Sequence, residues 1–295
     1  MRRSLYDIPH WRSRLVASML FSLACWLFLG LNLVRMVDSW APPYLVANVP
    51  FFAMALALFL SIRYILTTDP PSLVTDHPQV RTRPLLLAFL SYLGANLLFL
   101  LITAVTDPSS LTVNRVALTT RLLFITAAVL ITPLQTSCEE ILFRIMPVRF
   151  LQGSKLKPST PVALFSALLF VLPHLSNTEV AASESTPIVL LYYAIFGAAT
   201  TALCLKSGGF EIALGVHAAN NLFVAIIANY PSSSLPSHPF FLSLRPTGTI
   251  ADLVQLSVSL GVVAVVTRTR KTARQVTPQP DSTDPPKPPN VLSGR

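Results

Sequence analysis

Long apolar stretches alternate with short polar connections along most of the chain. Crossing about 30 Å of hydrocarbon takes about 20 apolar residues in a helix. Eight stretches reach or approach that length: 15–34, 45–66, 85–105, 122–143, 161–175, 188–205, 211–229 and 250–267. The first three hold few polar residues and read as ordinary spans. The fifth is short, and Pro173 interrupts it near its end. A proline at apolar depth leaves a carbonyl that neighbouring helices or water must satisfy. At about 1.5 Å rise per residue, His174 falls roughly 20 Å from Pro161. Either this helix begins below the membrane surface or Pro173 bends it. No repeat of fixed period is visible. The pattern predicts an all-α fold, a polytopic transmembrane helix bundle of about eight spans.

Composition strengthens that expectation. Of 295 residues, 52% are hydrophobic and 12% charged, and the mean hydropathy is +0.59. Soluble domains carry about 25% charged residues, so lipid must solvate much of this surface. A net charge of +9 would suit a nucleic-acid binder. The basic residues instead sit in short segments between apolar runs, the pattern of topology determinants, so no nucleic-acid partner is expected. With a cytoplasmic N-terminus and eight helices, 18 of the 22 Lys and Arg are cytoplasmic, leaving only Arg35, Arg115, Arg121 and Arg245 outside. That bias predicts an integral, multi-pass membrane protein with both termini cytoplasmic and lipid around it. The apolar run from Leu15 is longer than a signal-peptide core and no small-residue cleavage site follows it, so it reads as a retained first span. Cys25, Cys138 and Cys204 all lie in apolar stretches. They give no disulfide framework and read as small buried hydrophobes.

Charge inside a bilayer costs at least ~2.5–3.5 kcal/mol per residue at a helix centre, which singles out the fourth stretch. It ends CEEILFR, with Glu139, Glu140 and Arg144. Glu140 and Arg144 are spaced i,i+4 with the acid first, the favourable order for an ion pair. A neutralised structural pair accounts for those two residues. Glu139 lies about 100° around the helix from Glu140, so one guanidinium does not easily serve both carboxylates. The fifth stretch carries Phe170 and His174 in FVLPH, and the seventh carries His217 and Asn221 in HAANN, each pair at i,i+4. Either pair alone would suit a hydrogen-bonded contact between helices. Two histidines, an unpaired carboxylate and an asparagine in neighbouring apolar helices are harder to read as packing.

The order of Glu139, Glu140 and Arg144, then Phe170 and His174, then His217 and Asn221 resembles the CPBP (CAAX protease and bacteriocin-processing, or Abi) family, which includes the type II CAAX prenyl endopeptidases. The stretch GGFEIALGVHAANN at 208–221 is similar to the last motif of that family, including its Gly-Gly entry. The likeness covers about 120–230, and the first three helices and the tail carry no motif. Many relatives place Gly after the motif arginine, where this chain has Ile145. The organisation expected is a cytoplasmic segment 1–14, N-terminal transmembrane helices 15–110 and a CPBP-like catalytic bundle 115–230. A loop and last helix at 231–267 follow, then a disordered, basic, Pro-rich cytoplasmic tail at 268–295. The PPKPP run at 285–289 reads as part of that solvated tail.

The resemblance implies hydrolysis of a peptide bond in a membrane-bound or lipidated substrate, CAAX-type substrates included, in a cleft open toward the cytoplasmic half. It also implies a site made of Glu139, Glu140, Arg144, His174, His217 and Asn221. Two mechanisms fit these residues. In a glutamic-peptidase route, Glu139 helped by His174 activates water, and His217 with Asn221 holds the oxyanion. In a metalloprotease-like route, Glu139, His174 and His217 bind one divalent metal such as zinc, leaving a position for water. The chain has no HExxH, and the glutamate–water route, without a cofactor, is the expectation. Two other classes compete: an ion- or proton-coupled transporter, which would usually show two related halves, and a non-catalytic immunity or scaffold protein of the same fold. Cys138 shares no face with a histidine at local spacing, so a thiol nucleophile is not expected.

The basic-residue bias makes the topology testable. Single cysteines placed at 230–249, with native cysteines replaced, should react with impermeant thiol reagents from outside intact cells. Labelling of cysteines at 274–295 instead would invert the orientation.

Overall fold

Eight apolar helices carry the chain back and forth through the computed structural model, which describes residues 4–153 and 155–268. They are α1 (Trp11–Val37), α2 (Pro43–Leu66), α3 (Thr82–Thr106), α4 (Leu118–Gln152), α5 (Thr160–His174), α6 (Thr186–Ser207), α7 (Glu211–Ile227) and α8 (Ile250–Val266). Each falls on one of the apolar stretches read from sequence. Five are long and apolar enough to cross a membrane, namely α1 to α4 and α6, while α5, α7 and α8 are shorter. The protein is a polytopic, mainly helical membrane bundle. Apart from Arg268, the expected tail at 268–295, with its PPKPP run, lies outside the described residues.

Local sequence explains most helix ends. Proline at the first helical positions opens α2, α5 and α6, where a missing N–H has no helical partner to lose. α8 opens on a capping box, with Thr249 and Asp252 each bonding the other's backbone. Gly208 closes α6 at φ +72°, a left-handed cap that favours glycine. Around Pro173 the helix changes geometry. α5 is α-helical only to Val171 and tightens into a 3-10 turn at Leu172–His174.

One feature departs from an all-helical reading. A small sheet of order β1-β3-β2 joins β1 (Leu111–Val113), β2 (Ala228–Asn229) and β3 (Phe241–Ser243). β1 runs antiparallel and β2 parallel to β3. These short segments lack the alternating pattern that announces a strand. All belong to connections at the end of the bundle where α3 stops and α4 starts. Arg121 ties the same connections together. It is buried, and its guanidinium donates to the carbonyls of Asn114, His238 and Pro239. It is therefore spent on structure. At the opposite end, Arg149 pairs with Asp76 and Arg81 with Glu211.

α7 is the hub, packing against α3, α4 and α6, while α5 lies along α6. Close approach depends on glycine at both contacts. A Cβ on Gly215 would collide with the Leu85 carbonyl and press on Ala88 of α3, and one on Gly197 would meet the Ala167 Cα of α5 at 2.9 Å. Small residues let helix backbones approach where lipid removes the hydrophobic drive for association. Gly215→Ala should therefore destabilise the bundle by about 1–3 kcal/mol through overpacking. Gly94→Ala, where an added Cβ meets nothing within 4 Å, should not. Thermal unfolding in detergent reads the difference, and equal midpoints for the two variants would refute close α3–α7 packing.

Candidate active site

α4 supplies Gln135, Glu139, Glu140 and Arg144 within about three turns, and a π-helical stretch, Ile141–Ile145, follows Glu140 directly. Glu140 and Arg144 are both fully buried and form the i,i+4 pair at 2.5 Å. Arg144 also lies over the Phe170 ring, 4.8 Å from its centre. The other Glu140 oxygen accepts from His217 Nδ1 at 2.9 Å. His217 stands 6 residues into α7, and its second nitrogen, Nε2, faces Glu139 Oε2 at 3.3 Å. Gln135 Nε2 donates to the remaining Glu139 oxygen at 3.3 Å.

These distances fix a proton count. Glu140, held by Arg144, is acceptor-only, so His217 Nδ1 must carry a hydrogen. Nε2 and the Glu139 carboxylate then need one proton between them. Two arrangements supply it: an imidazolium facing a carboxylate, or a neutral imidazole facing a carboxylic acid. Both leave the four groups with no net charge. Neutrality matters because an uncompensated charge in an apolar interior costs several kcal/mol.

Glu139, His174, His217 and Asn221 line one cavity of about 700 Å³. Glu140 and Arg144 do not reach it and stand behind its wall. His174 occupies the 3-10 turn of α5, where its Nδ1 meets the Phe170 carbonyl at 2.7 Å. A carbonyl only accepts, so that nitrogen is the protonated one and Nε2 is left as an acceptor. The ring lies between Phe170, stacked at 4.9 Å, and Tyr193, at 4.3 Å. Asn220 Nδ2 donates to Asn221 Oδ1 at 3.1 Å and is itself anchored by the Tyr92 hydroxyl. Asn221 itself lines the cavity.

The structure thus brings together all six residues singled out from sequence, in two layers. It also adds partners. Arg144 serves Glu140 alone, as the spacing suggested, but Glu140 serves His217 as well. Glu139 meets His217 and Gln135 rather than standing free. Gln135 and Asn220 are visible in sequence as further polar residues beside the motifs. Tyr92, Glu179 and Tyr193 carry no such signal. Cys138 is buried with its Sγ 4.0 Å from the Phe51 carbonyl, and Cys25 and Cys204 are free as well. Ile145, which follows the motif arginine, is buried in the core. As a metal-ligand set, Glu139, His174 and His217 do not converge: among the described residues, no three His, Cys, Asp or Glu side chains gather closely enough to hold an ion.

The cavity extends to one end of the bundle. Its lining reaches Ser233, Arg245 and Thr247 in the connections near the small sheet, and includes none of 67–81, 153–159 or 208–210 at the opposite end. The bias of basic residues places the sheet end outside the cell, whereas the resemblance implies a cleft toward the cytoplasm. The two expectations are incompatible for this cavity, and thiol labelling at 230–249 decides between them.

A helical membrane bundle thus holds Glu139, two histidines and an asparagine around one cavity, with a buried Glu140–Arg144 pair behind it. Residues 118–223 match the family described as Type II CAAX prenyl endopeptidase Rce1-like, close to the 120–230 extent of the motif resemblance. The uncharacterized protein YyaK of Bacillus subtilis is 28% identical over 203 residues, covering 66% of this chain and 64% of its own length. This chain thus spans a little under two thirds of that relative. No solved structure matches it.

The charge layer behind the cavity predicts a separation of roles. Glu140→Gln and Arg144→Ala should each lower stability by about 3–5 kcal/mol, because each leaves a buried partner unmatched. Glu139→Gln, at the cavity surface with a side chain 12% exposed, should leave the unfolding midpoint nearly unchanged. Thermal unfolding of the three purified variants tests this, and unchanged midpoints for Glu140→Gln and Arg144→Ala would show that the pair is not what holds the site.

Proposed function

We propose that this protein is an intramembrane endopeptidase that hydrolyses a peptide bond of a membrane-associated substrate, with lipidated CAAX-type C-termini among the candidates. The observation that carries the reading is the Glu139–His217 contact in the wall of a cavity that His174 and Asn221 also line. Glu139, as carboxylate, takes a proton from a water that attacks the scissile carbonyl, and His174 Nε2 accepts a hydrogen bond that orients this water. The carbonyl π electrons move onto oxygen. The resulting oxyanion accepts from the Asn221 amide and from His217 Nε2–H, whose charge Glu140 supports from behind. The proton on Glu139 passes to the departing amine nitrogen, the C–N bond breaks, and Glu139 returns to its starting state. A cavity walled by Trp26, Phe51 and Phe99 beside these polar groups suits a chain with a large apolar part.

Glu139→Gln keeps the shape and removes the base. With the purified full chain and a fluorogenic peptide ending in a farnesylated CAAX sequence, this variant should lose turnover while staying folded. His217→Ala and Asn221→Ala should each lower kcat by about 10²-fold or more, the usual loss for an oxyanion donor. If a metal carries the reaction, chelation abolishes turnover, either histidine variant releases the metal, and Asn221→Ala matters less. Full activity in folded Glu139→Gln would end the glutamate-base reading.

A further inference from the structure

Glu179 is a buried carboxylate that the mechanism above leaves unused. It is 7% exposed and sits on the short helical turn Thr178–Ala181 between α5 and α6, at the cavity mouth. Its Oε1 accepts from the Tyr193 hydroxyl at 2.6 Å and from Asn177 Nδ2 at 2.9 Å. Its Oε2 accepts from the Ser234 backbone N–H at 2.9 Å. Thr178 adds two bonds to the same strap of chain: its N–H donates to Ser234 Oγ and its hydroxyl to the Ser232 carbonyl, both at 2.8 Å. Burial pushes the Glu179 carboxyl up, but the hydrogen bonds from Ser234 and Tyr193 outweigh it and hold it below the usual carboxylate range. It therefore stays ionised at neutral pH.

Each partner of Glu179 leads somewhere. Ser234 belongs to the strap 231–235, which borders the cavity mouth through Ser233, Ser234 and Leu235. Tyr193 is the ring packed on His174 at 4.3 Å, opposite Phe170. The backbone bond at Nδ1 leaves the His174 ring free to swing about that anchor unless both faces are held. Phe170 holds one face from the same helix. Tyr193 holds the other from α6, and its hydroxyl is pinned by Glu179.

We propose that Glu179 is a positioning residue that couples the strap at the cavity mouth to His174, through Ser234 on one side and Tyr193 on the other. A docked strap and a correctly placed His174 then form one arrangement, so that the base site is complete only when the mouth is bounded. This inference rests on the peptidase reading for its catalytic consequence, though not for its geometry. Misplacing an orienting group by about 1 Å can lower a rate by ~10²-fold, so a defect should appear in the chemical step rather than in binding.

The test uses the purified full chain and the same farnesylated peptide. Glu179→Ala and Tyr193→Phe should each lower kcat by roughly tenfold or more while leaving KM within about twofold. Because both act through one link, the double variant should be no slower than Glu179→Ala alone. Unchanged kcat in Glu179→Ala, or multiplicative losses in the double variant, would overturn the coupling. If Glu179→Ala does not fold, Tyr193→Phe, which keeps the ring, carries the same comparison with Glu179→Gln. A second arm needs no activity. In a background without native cysteines, Thr178→Cys with Ser234→Cys should form a disulfide readily on mild oxidation, and several-fold more slowly once Glu179→Ala is added. Modification of His174 by diethyl pyrocarbonate, read by mass spectrometry, should become several-fold faster in Glu179→Ala. Unchanged rates in both measurements would overturn the proposal whatever the peptide shows. A wild-type chain that leaves the peptide uncleaved but passes the second arm would count against the substrate assignment and not against the coupling.

Discussion

A fully buried carboxylate with two cationic or protonated partners organises this molecule. Glu140 binds Arg144 on its own helix and His217 on α7. Removed from water, such a group must be compensated by charge and hydrogen bonds or it would be neutralised. Satisfying it requires α4 and α7 to approach at one register, since His217 reaches Glu140 only there. The same register turns His217 Nε2 to Glu139 and places both at the cavity floor. Glu140 thus sets the position and tautomer of a residue that lines the cavity, without lining it itself. This is the second-layer role that orienting carboxylates take behind histidines elsewhere.

That approach depends on small side chains. Gly215 lets α7 press against Leu85 and Ala88 of α3, and Gly197 lets α6 press against Ala167 of α5. In lipid the gain comes from close packing and interhelical hydrogen bonds. The bonds in this bundle fall where such contacts bring polar groups together: Tyr44 with Thr132, Ser166 with Thr201, Tyr92 with Asn220. The last of these holds the amide that bonds Asn221, so the packing that joins α3 to α7 also positions residues lining the cavity. At the sheet end, irregular backbone is tolerated because its polar groups are met internally. Arg121 takes three carbonyls, Asp252 two N–H groups, and Glu179 a backbone N–H and two side chains.

Sequence alone determined the membrane character, the eight apolar helices and the six motif residues. Those properties are carried by local features: a run of apolar residues long enough to span, and ionisable groups where a bilayer tolerates none without a reason. It also gave the Glu140–Arg144 pair, because i,i+4 spacing is a property of one helix. Tertiary structure alone decided that His217 binds Glu140 as well as Glu139, since the sequence separates those partners by 77 residues and nothing local encodes the register between two helices. It decided which face of His174 is held, by a Tyr193 indistinguishable in sequence from its neighbour Tyr192. It also made Glu179 part of the site, and formed a small sheet from segments too short to show a strand's alternation. Finally, it extended the cavity to the end of the bundle that charge counting assigns to the outside. Periodicity reports which residues share one element's face, whereas distances between elements follow from packing, and at those distances the chemistry of this site is set.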